Sequence, residues 1–389
     1  EALMVLENEL SFAAGVSRTY DDSFGVDGAK IGDTLRIRYP SQYTRRSGSR
    51  IMDVQDSVQL STALTVATQD GVDMRFNSRE MALDLDEFAS IHLEPAMAML
   101  MSNIDSDVLQ GCTKSTFNVG GTAGTPVSSL TAPGSGRTRL NQNLAPKGDR
   151  RVQFDSGTMA SIVSGTAAYF NPSGAISEQY REGLVARTAM ADYYENERVW
   201  SMANTTSVTL STTKLNGYIS TNGQTSLNVS LLTVSSLNIG MKFTIANVND
   251  VHPETKANYG VLKQFTVVGK TDVSTYTISP AIFITGARQN VTGIGTTTST
   301  QGLTFVGSPN STYTLGLMYH KDAYTFATAP LPLMANQEKC VRRTYDGLSL
   351  RVWQAPDIRN DELLTRIDIL YGFAAIRPEW GSAIVGSSQ

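Results

Sequence analysis

The chain has 389 residues, of which 41% are hydrophobic and 17% charged, and a formal net charge of −4. That length holds two or three domains with ordinary cores, and the charge lacks the basic excess with which phosphate-gripping proteins hold nucleic acid. Few charges with abundant Gly, Ser and Thr suit a β-rich protein that hides much of its surface in assembly.

The first 20 residues have no periodicity and read as an arm. Thr34 to Tyr39 alternates as a strand does, and Pro40 ends it. A polar, basic stretch from Ser41 to Arg50 follows, carrying Arg45, Arg46 and Arg50. Ser57 to Val66 alternates again, with Val58, Leu60, Leu64 and Val66 on one face. Strand, basic tip and strand make an extended hairpin that needs a surface to lie on. A helix is expected over Asp86 to Gln110. Asp84 and Asp86 are its cap candidates, Glu87 lies in its first turn, Pro95 is a kink, and Gly111 is its terminator. Met97, Met101, Ile104 and Val108 hold helical spacing on one face.

Thr113 to Gly136 is rich in Gly, Ser, Thr and Pro and reads as loop, with a short helix over Thr138 to Asn143. A strand is expected at Arg150 to Phe154 and a helix from Ser156 to Val163. Asn171 to Gly174 reads as a turn before a helix near Ala175 to Tyr180. These alternations describe an α+β domain. From Asn204 to Thr312, Ser, Thr, Val, Asn and Gly dominate. Short alternating runs recur at Thr206 to Leu210, Leu227 to Val234, Lys242 to Ala246, Gln264 to Val268 and Thr275 to Ser279. That is the pattern of an antiparallel barrel or sandwich inserted into the α+β host. The last strands are expected at Ser349 to Trp353 and Leu364 to Ile376.

Catalytic and cofactor patterns fail one by one. His92, His252 and His320 are far apart and show no metal-ligand spacing. Gly269-Lys270-Thr271 copies the end of a phosphate-binding loop, but Gln264 stands where its first glycine belongs, so a hairpin turn explains it better. Asp84, Asp86 and Glu87 read as helix-capping acids rather than hydrolytic ones. No catalytic residue, metal or cofactor is therefore expected. Cys112 and Cys340 fit neither a metal site nor a dense disulfide framework, which predicts folding in a reducing cytoplasm. No apolar run reaches the ~18–20 residues that cross a bilayer, and the opening at Glu1 shows no signal-peptide pattern. Three readings remain open for the basic tip: nucleic-acid contact, ion pairing to a neighbouring subunit, and a solvated loop.

Several stretches resemble one family, in order. Leu315 to Ala323 and Ile369 to Glu379 are similar to the carboxyl end of P22-type phage coat proteins. Gly240 to Asn249, His252 to Lys256 and Leu262 to Val267 resemble the β-barrel insertion domain of that family. The hairpin, the helix with Pro95-Ala96-Met97-Ala98, and Leu140 to Arg150 resemble the extended loop, spine helix and axial-domain entry of the Hong Kong 97 capsid fold; Asn171 to Gly174 and Met190 to Glu195 continue the likeness. The resemblance implies an α+β Hong Kong 97-like fold. Its parts would be an arm (1–20), an extended hairpin (21–66), a peripheral domain with the spine helix (67–115), an axial domain (116–203), an inserted antiparallel β-barrel (204–312) and a carboxyl part (313–389).

It further implies a major capsid protein of the virion, assembled in the host cytoplasm. The partners would be copies of itself in pentamers and hexamers, a scaffolding protein, a portal protein, and packaged double-stranded DNA held by enclosure, with room for a decoration protein and no membrane. On that reading Arg45, Arg46 and Arg50 pair with acidic groups of a neighbour. Asp250, Glu254 and Lys256, on the polar turn from Asn249 to Asn258, would clasp a counterpart across a local two-fold. An encapsulin-like compartment shell and a monomeric β-rich binding module are the competing readings.

Overall fold

The computed structural model describes residues 11–19, 34–45, 48–49, 52, 54, 59–77, 94–166, 191–204, 214–217, 219, 221–230, 237–272, 274–293, 301–333, 339–345 and 348–388. The elements, in chain order, begin with β1 (Thr34–Arg38), β2 (Ser61–Thr65), β3 (Thr68–Asn77), helix α1 (Glu94–Ser115) and β4 (Val119–Gly121). Next come α2 (Thr131–Gln142), β5 (Arg150–Phe154), α3 (Ser156–Thr166), β6 (Asp192–Glu195), β7 (Ser201–Ala203), β8 (Lys214–Leu215) and β9 (Gln224–Ser230). Then follow β10 (Lys242–Val251), β11 (Asn258–Lys270), β12 (Thr275–Ile282), β13 (Val291–Thr292), β14 (Leu303–Phe305) and β15 (Thr312–His320). The chain finishes with β16 (Tyr324–Ala329), β17 (Lys339–Tyr345), β18 (Leu348–Asp357), β19 (Glu362–Ala375) and β20 (Gly381–Ser388).

The chain divides into two units. The first comprises 1–37, 61–109 and 324–376. Its sheet has the order β16-β19-β18-β17, with β3 also on β19. β19 is central because Leu370 and its neighbours pair with β16, while Glu362 to Tyr371 pair with β3. The two-stranded β1–β2 pair is the expected hairpin base: Leu64 and Val66 are buried, Leu60 is exposed, and Val58 lies outside the described residues. Residues 11–17, expected to be part of an arm, are docked here. Buried Asp105 accepts the backbone N–H groups of Phe12 and Ala13, each at 2.9 Å, and the Ser11 hydroxyl at 3.0 Å. Ser17 then bonds to Tyr324 and Phe326 across a parallel bridge.

The expected buried face of α1 is present in Met97, Met101, Ile104 and Val108. Its expected cap residues lie outside the described residues. Pro95 is the second residue of the described helix, and the helix runs through Gly111 to Ser115. Hydroxyls end it instead: Ser115 Oγ donates to the carbonyls of Gly111 and Cys112, and Thr116 Oγ1 to that of Cys112. Such bonds satisfy carbonyls that a helix end leaves orphaned.

The second unit comprises 38–60, 110–323 and 377–389. One sheet has the order β4-β20-β15-β5-β6, with β7 also on β15. Beneath it pack Leu140, Met159 and Ile162 from α2 and α3, against Val152, Phe154 and Tyr193. β20 and the full length of β18 and β19 exceed the strands expected from the sequence. The largest difference is α2, which holds Pro133-Gly134-Ser135-Gly136, a stretch expected to be loop. Pro133 occupies the first turn, where a missing N–H costs nothing. A Cβ on Gly120 would sit 2.7 Å from the Gly136 nitrogen and 2.7 Å from Ser135 Oγ. The small residues thus let helix and sheet approach closely, and that packing overrides poor helix propensity.

The other sheet has the order β13-β10-β11-β12-β9-β8, with β14 on β10, and its strands pair antiparallel. Its own core includes Phe243, Phe265, Phe305, Val267, Tyr276 and Ile278. Thr206 to Leu210 and residues 231–234 lie outside the described residues; the other expected runs in this region are strands, Leu227 to Val234 as far as Ser230. Gly269 to Thr271 ends β11 in a turn in which Thr271 N donates to Thr275 O at 3.0 Å, the hairpin expected there.

Gly120→Ala forces the helix backbone away from β4. It is expected to lower unfolding stability by about 1–3 kcal/mol, read from urea denaturation midpoints.

Candidate assembly surfaces

The hairpin extends beyond its paired base through Tyr39 N to Leu60 O at 2.8 Å. Past that point the described side chains are open to solvent. Tyr43 is 62% exposed, Met52 76% and Val54 80%, and Arg45 is exposed. Arg46 and Arg50 lie outside the described residues.

On the second polar stretch, two of the three named groups have partners within the chain. Asp250 is 3% exposed, and its Oδ1 accepts Lys263 Nζ at 2.9 Å and the Val251 N–H at 3.0 Å. Lys263 is buried with it, over the Phe117 ring at 5.3 Å. Lys256 is equally occupied. Its Nζ donates to the carbonyls of Pro253 at 2.6 Å, Ala287 at 2.7 Å and Gln289 at 3.2 Å, and burial lowers its pKa. The cause lies in β11 and the 287–289 loop, whose partners are remote in sequence. Glu254 stays exposed at the tip of a tight turn. His252 Nδ1 orders that turn by accepting the N–H groups of Glu254 at 3.1 Å and Thr255 at 3.2 Å.

A polar joint missed by the sequence reading ties the seven-stranded sheet to the end of α1 and the segment that follows it. Lys242, 1% exposed, donates from Nζ to Thr113 O at 3.0 Å and to Thr116 O. On the paired strand Thr266 Oγ1 donates to Lys114 O at 3.0 Å. Gln264 brackets Val119, accepting its N–H at 2.8 Å and donating to its carbonyl at 3.1 Å. Burial pushes the Lys242 ammonium down to about 7. Lys242 shares the face of Thr244 and Ala246, opposite the apolar face of Phe243 and Ile245, so its own stretch reads as a solvent-facing lysine and gives no signal of the joint.

In the first unit Asp368 joins Arg351 at 2.6 Å and Arg366 at 2.7 Å. Burial raises the Asp368 pKa, but the bonds from the two arginines outweigh it and hold the carboxyl below its usual value. His92 lies outside the described residues. His320 is buried beside Trp380, its pKa lowered chiefly by burial. Among the described residues no three His, Cys, Asp or Glu side chains gather where they could hold a metal ion. Neither Cys112 nor Cys340 is in a disulfide with a described residue. No described helix is long and apolar enough to cross a membrane.

A chain from Mycobacterium phage Che8 superposes with a TM-score of 0.52 at 10% identity, covering 96% of this chain and 90% of that one. The capsid of Ralstonia phage GP4 gives 0.47 at 7% identity, over 97% and 88%. The capsid of Myoviridae phage XM1 gives 0.45 at 10%, over 97% and 92%. The fold is phage capsid-like, mixed α and β with mostly β content. Residues 201–386 match the family described as P22 coat protein, gene protein 5. That match spans a little under half of the chain. No curated protein matches it in sequence.

The sign of the Lys242 shift fixes a pH dependence. Between about 7 and the ordinary 10.5 the unfolded chain holds a proton that the folded chain has released, so this residue's contribution to stability rises with pH across that window. Lys242→Met should remove that rise, on the order of 4 kcal/mol at most, leaving a pH-independent offset from the two abandoned carbonyls. Urea melts of both proteins between pH 6.5 and 10 check it.

Proposed function

We propose that this chain is a major capsid protein of a tailed phage and tiles an icosahedral shell as pentamers and hexamers around a packaged double-stranded DNA genome. The observation that carries the reading is the P22 coat-protein match over 201–386. The subunit is read as Hong Kong 97-like, with peripheral and axial domains, a spine helix in α1, and an antiparallel β-barrel inserted over 204–312. The separate core of the seven-stranded sheet supports treating that region as its own folding element. A scaffolding protein, a portal and a decoration protein are proposed partners by the same resemblance. DNA is held by enclosure, since a formal charge of −4 gives the wall no excess with which to grip phosphate.

Two surfaces are proposed to meet neighbours. One is the hairpin tip with Arg45, Arg46 and Arg50. The other is the turn at Glu254, with Asp250 and Lys256 supporting its shape from inside the chain rather than reaching across. Contacts of this kind are individually modest, about 0–1 kcal/mol for an exposed ion pair, and set register more than strength.

The test is to express the chain with and without its scaffolding protein and image the product by negative-stain microscopy. Closed shells of uniform diameter are expected. A monomer on a sizing column under both conditions refutes the reading, and an enzyme cargo in place of DNA in infected-cell particles favours a compartment shell. Glu254→Lys is expected to lower shell yield without changing the melting temperature of the subunit, measured by sedimentation and by thermal melts.

A further inference from the structure

The sequence contains two Asn-Gly pairs, Asn216-Gly217 and Asn222-Gly223, both at the β8–β9 end of the seven-stranded sheet. They are equal as chemistry and unequal as structure. Asn222 is fully engaged. Its Oδ1 accepts the N–H groups of Ile284 at 2.7 Å and Thr285 at 3.2 Å, and its Nδ2 donates to Thr285 Oγ1 at 2.9 Å. The Gly223 nitrogen donates to Ile282 O at 2.8 Å, and a Cβ on Gly223 would sit 3.6 Å from the Phe283 ring. Asn216 is held differently. Its side chain is exposed and has no hydrogen-bond partner among the described residues, and none of them accepts the Gly217 N–H. Gly217 has a φ of +120°, and a Cβ built on it would meet nothing within 4 Å. The backbone on the other side is anchored: Leu215 N donates to Gln301 O and Asn216 N to Asn228 O, both at 2.8 Å.

An asparagine followed by glycine carries its own nucleophile. Glycine's freedom lets the next backbone nitrogen swing onto the side-chain carbonyl carbon, a reaction made fast by proximity. We propose that Asn216 is a site of spontaneous deamidation through a succinimide closed by the Gly217 nitrogen, and that the bonds of Asn222 and Gly223 exclude Asn222 from the same reaction. The only co-reactant is water. The Gly217 nitrogen gives its proton to solvent and forms a bond to Asn216 Cγ. The Cγ–Nδ2 bond breaks, and Nδ2 takes a proton from solvent and leaves as ammonia. Water then opens the ring at one of its two carbonyls. Opening at Cγ leaves aspartate. Opening at the backbone carbonyl leaves isoaspartate, with the main chain running through the former side chain. One water is consumed and one ammonia released. Isoaspartate adds a carbon to the main chain between Leu215 and Ile219, which are each 3% exposed and belong to the core of the sheet. With both of these side chains held, the added length falls on β8 and loosens it from β9 and from Gln301.

The full-length chain is incubated at pH 8, both folded and in guanidinium chloride. Peptide mass spectrometry then locates the product, and isoaspartyl methyltransferase labelling scores the backbone-shifted form. In the folded chain Asn216 is expected to react faster than Asn222 by about tenfold or more, because Asn222 must first open several hydrogen bonds. In denaturant the two rates are expected to converge. Isoaspartate is expected beside aspartate at position 216, and Asn216→Gln, a change at an exposed side chain, removes both. Equal rates at the two sites in the folded chain overturn the proposal, as does aspartate at 216 without isoaspartate. An Asn216 that stays intact in the folded chain while the denatured chain reacts overturns it too. Amide hydrogen exchange over β8 and β9 checks the consequence. Exchange is expected to be faster in chain enriched for isoaspartate than in fresh chain or in Asn216→Asp, and equal exchange in all three refutes the loosening.

Discussion

The second unit depends on how the end of a long helix is finished. A helix leaves its last carbonyls without partners, and burying them bare costs on the order of 1–3 kcal/mol each. Here they are covered by side chains that belong to another sheet. Lys242 and Thr266, opposite one another on β10 and β11, reach Thr113, Lys114 and Thr116, and Gln264 continues the line to Val119. The bonds run to backbone atoms, so they fix position along the chain as well as distance. A sheet with a sealed apolar core of its own is thereby held in one register against its host. The cost is a buried ammonium without a carboxylate beside it, tolerable because the helix end offers negative partial charge.

The same economy governs the charges that first suggest a function. Most of the notable ones are spent inside the chain. Asp250 answers Lys263, Arg351 and Arg366 answer Asp368, and Asp105 holds the backbone of Phe12 and Ala13. An internal pair of this kind gives weak evidence for stability and better evidence for a fixed arrangement, since breaking it leaves a buried charge alone. Other charges stay outside, among them Arg45 on the hairpin, Glu254 on its turn and Asp107 beside Tyr371.

Much of the fold was legible because periodicity reports burial directly. The alternations at Thr34 to Arg38, Arg150 to Phe154 and Lys242 to Ala246 became strands, and Met97, Met101, Ile104 and Val108 became the buried face of a helix. The misses share a cause, which is that the deciding atoms lie far away in sequence. Gly111 looks like a helix stop, yet hydroxyls of Ser115 and Thr116 cap the helix a turn later. Pro133-Gly134-Ser135-Gly136 looks like loop, yet the absence of side chains lets it lie against β4 and β20 as helix. Asp250 and Lys256 look like free charges on a polar turn, and nothing in their own stretch announces Lys263 or the carbonyls at Ala287 and Gln289. Asp70, Asp107 and Tyr371 were invisible for the same reason, being brought together from β3, α1 and β19.

That distance in sequence bears on when each surface comes into being. Tyr371 sits on the central strand of its sheet, paired on one side with β3. Its two carboxylate partners therefore assemble around it when strand β3 has paired and α1 has packed. A partly folded chain lacks the converged pair of acids even though it already carries the basic tip, whose charge needs no fold to exist. The Glu254 turn is likewise composed from afar, its shape depending on Lys256 reaching Ala287 and Gln289. Surfaces composed from remote segments are hard to read from a sequence, and for that very reason they exist only in a chain that has finished folding.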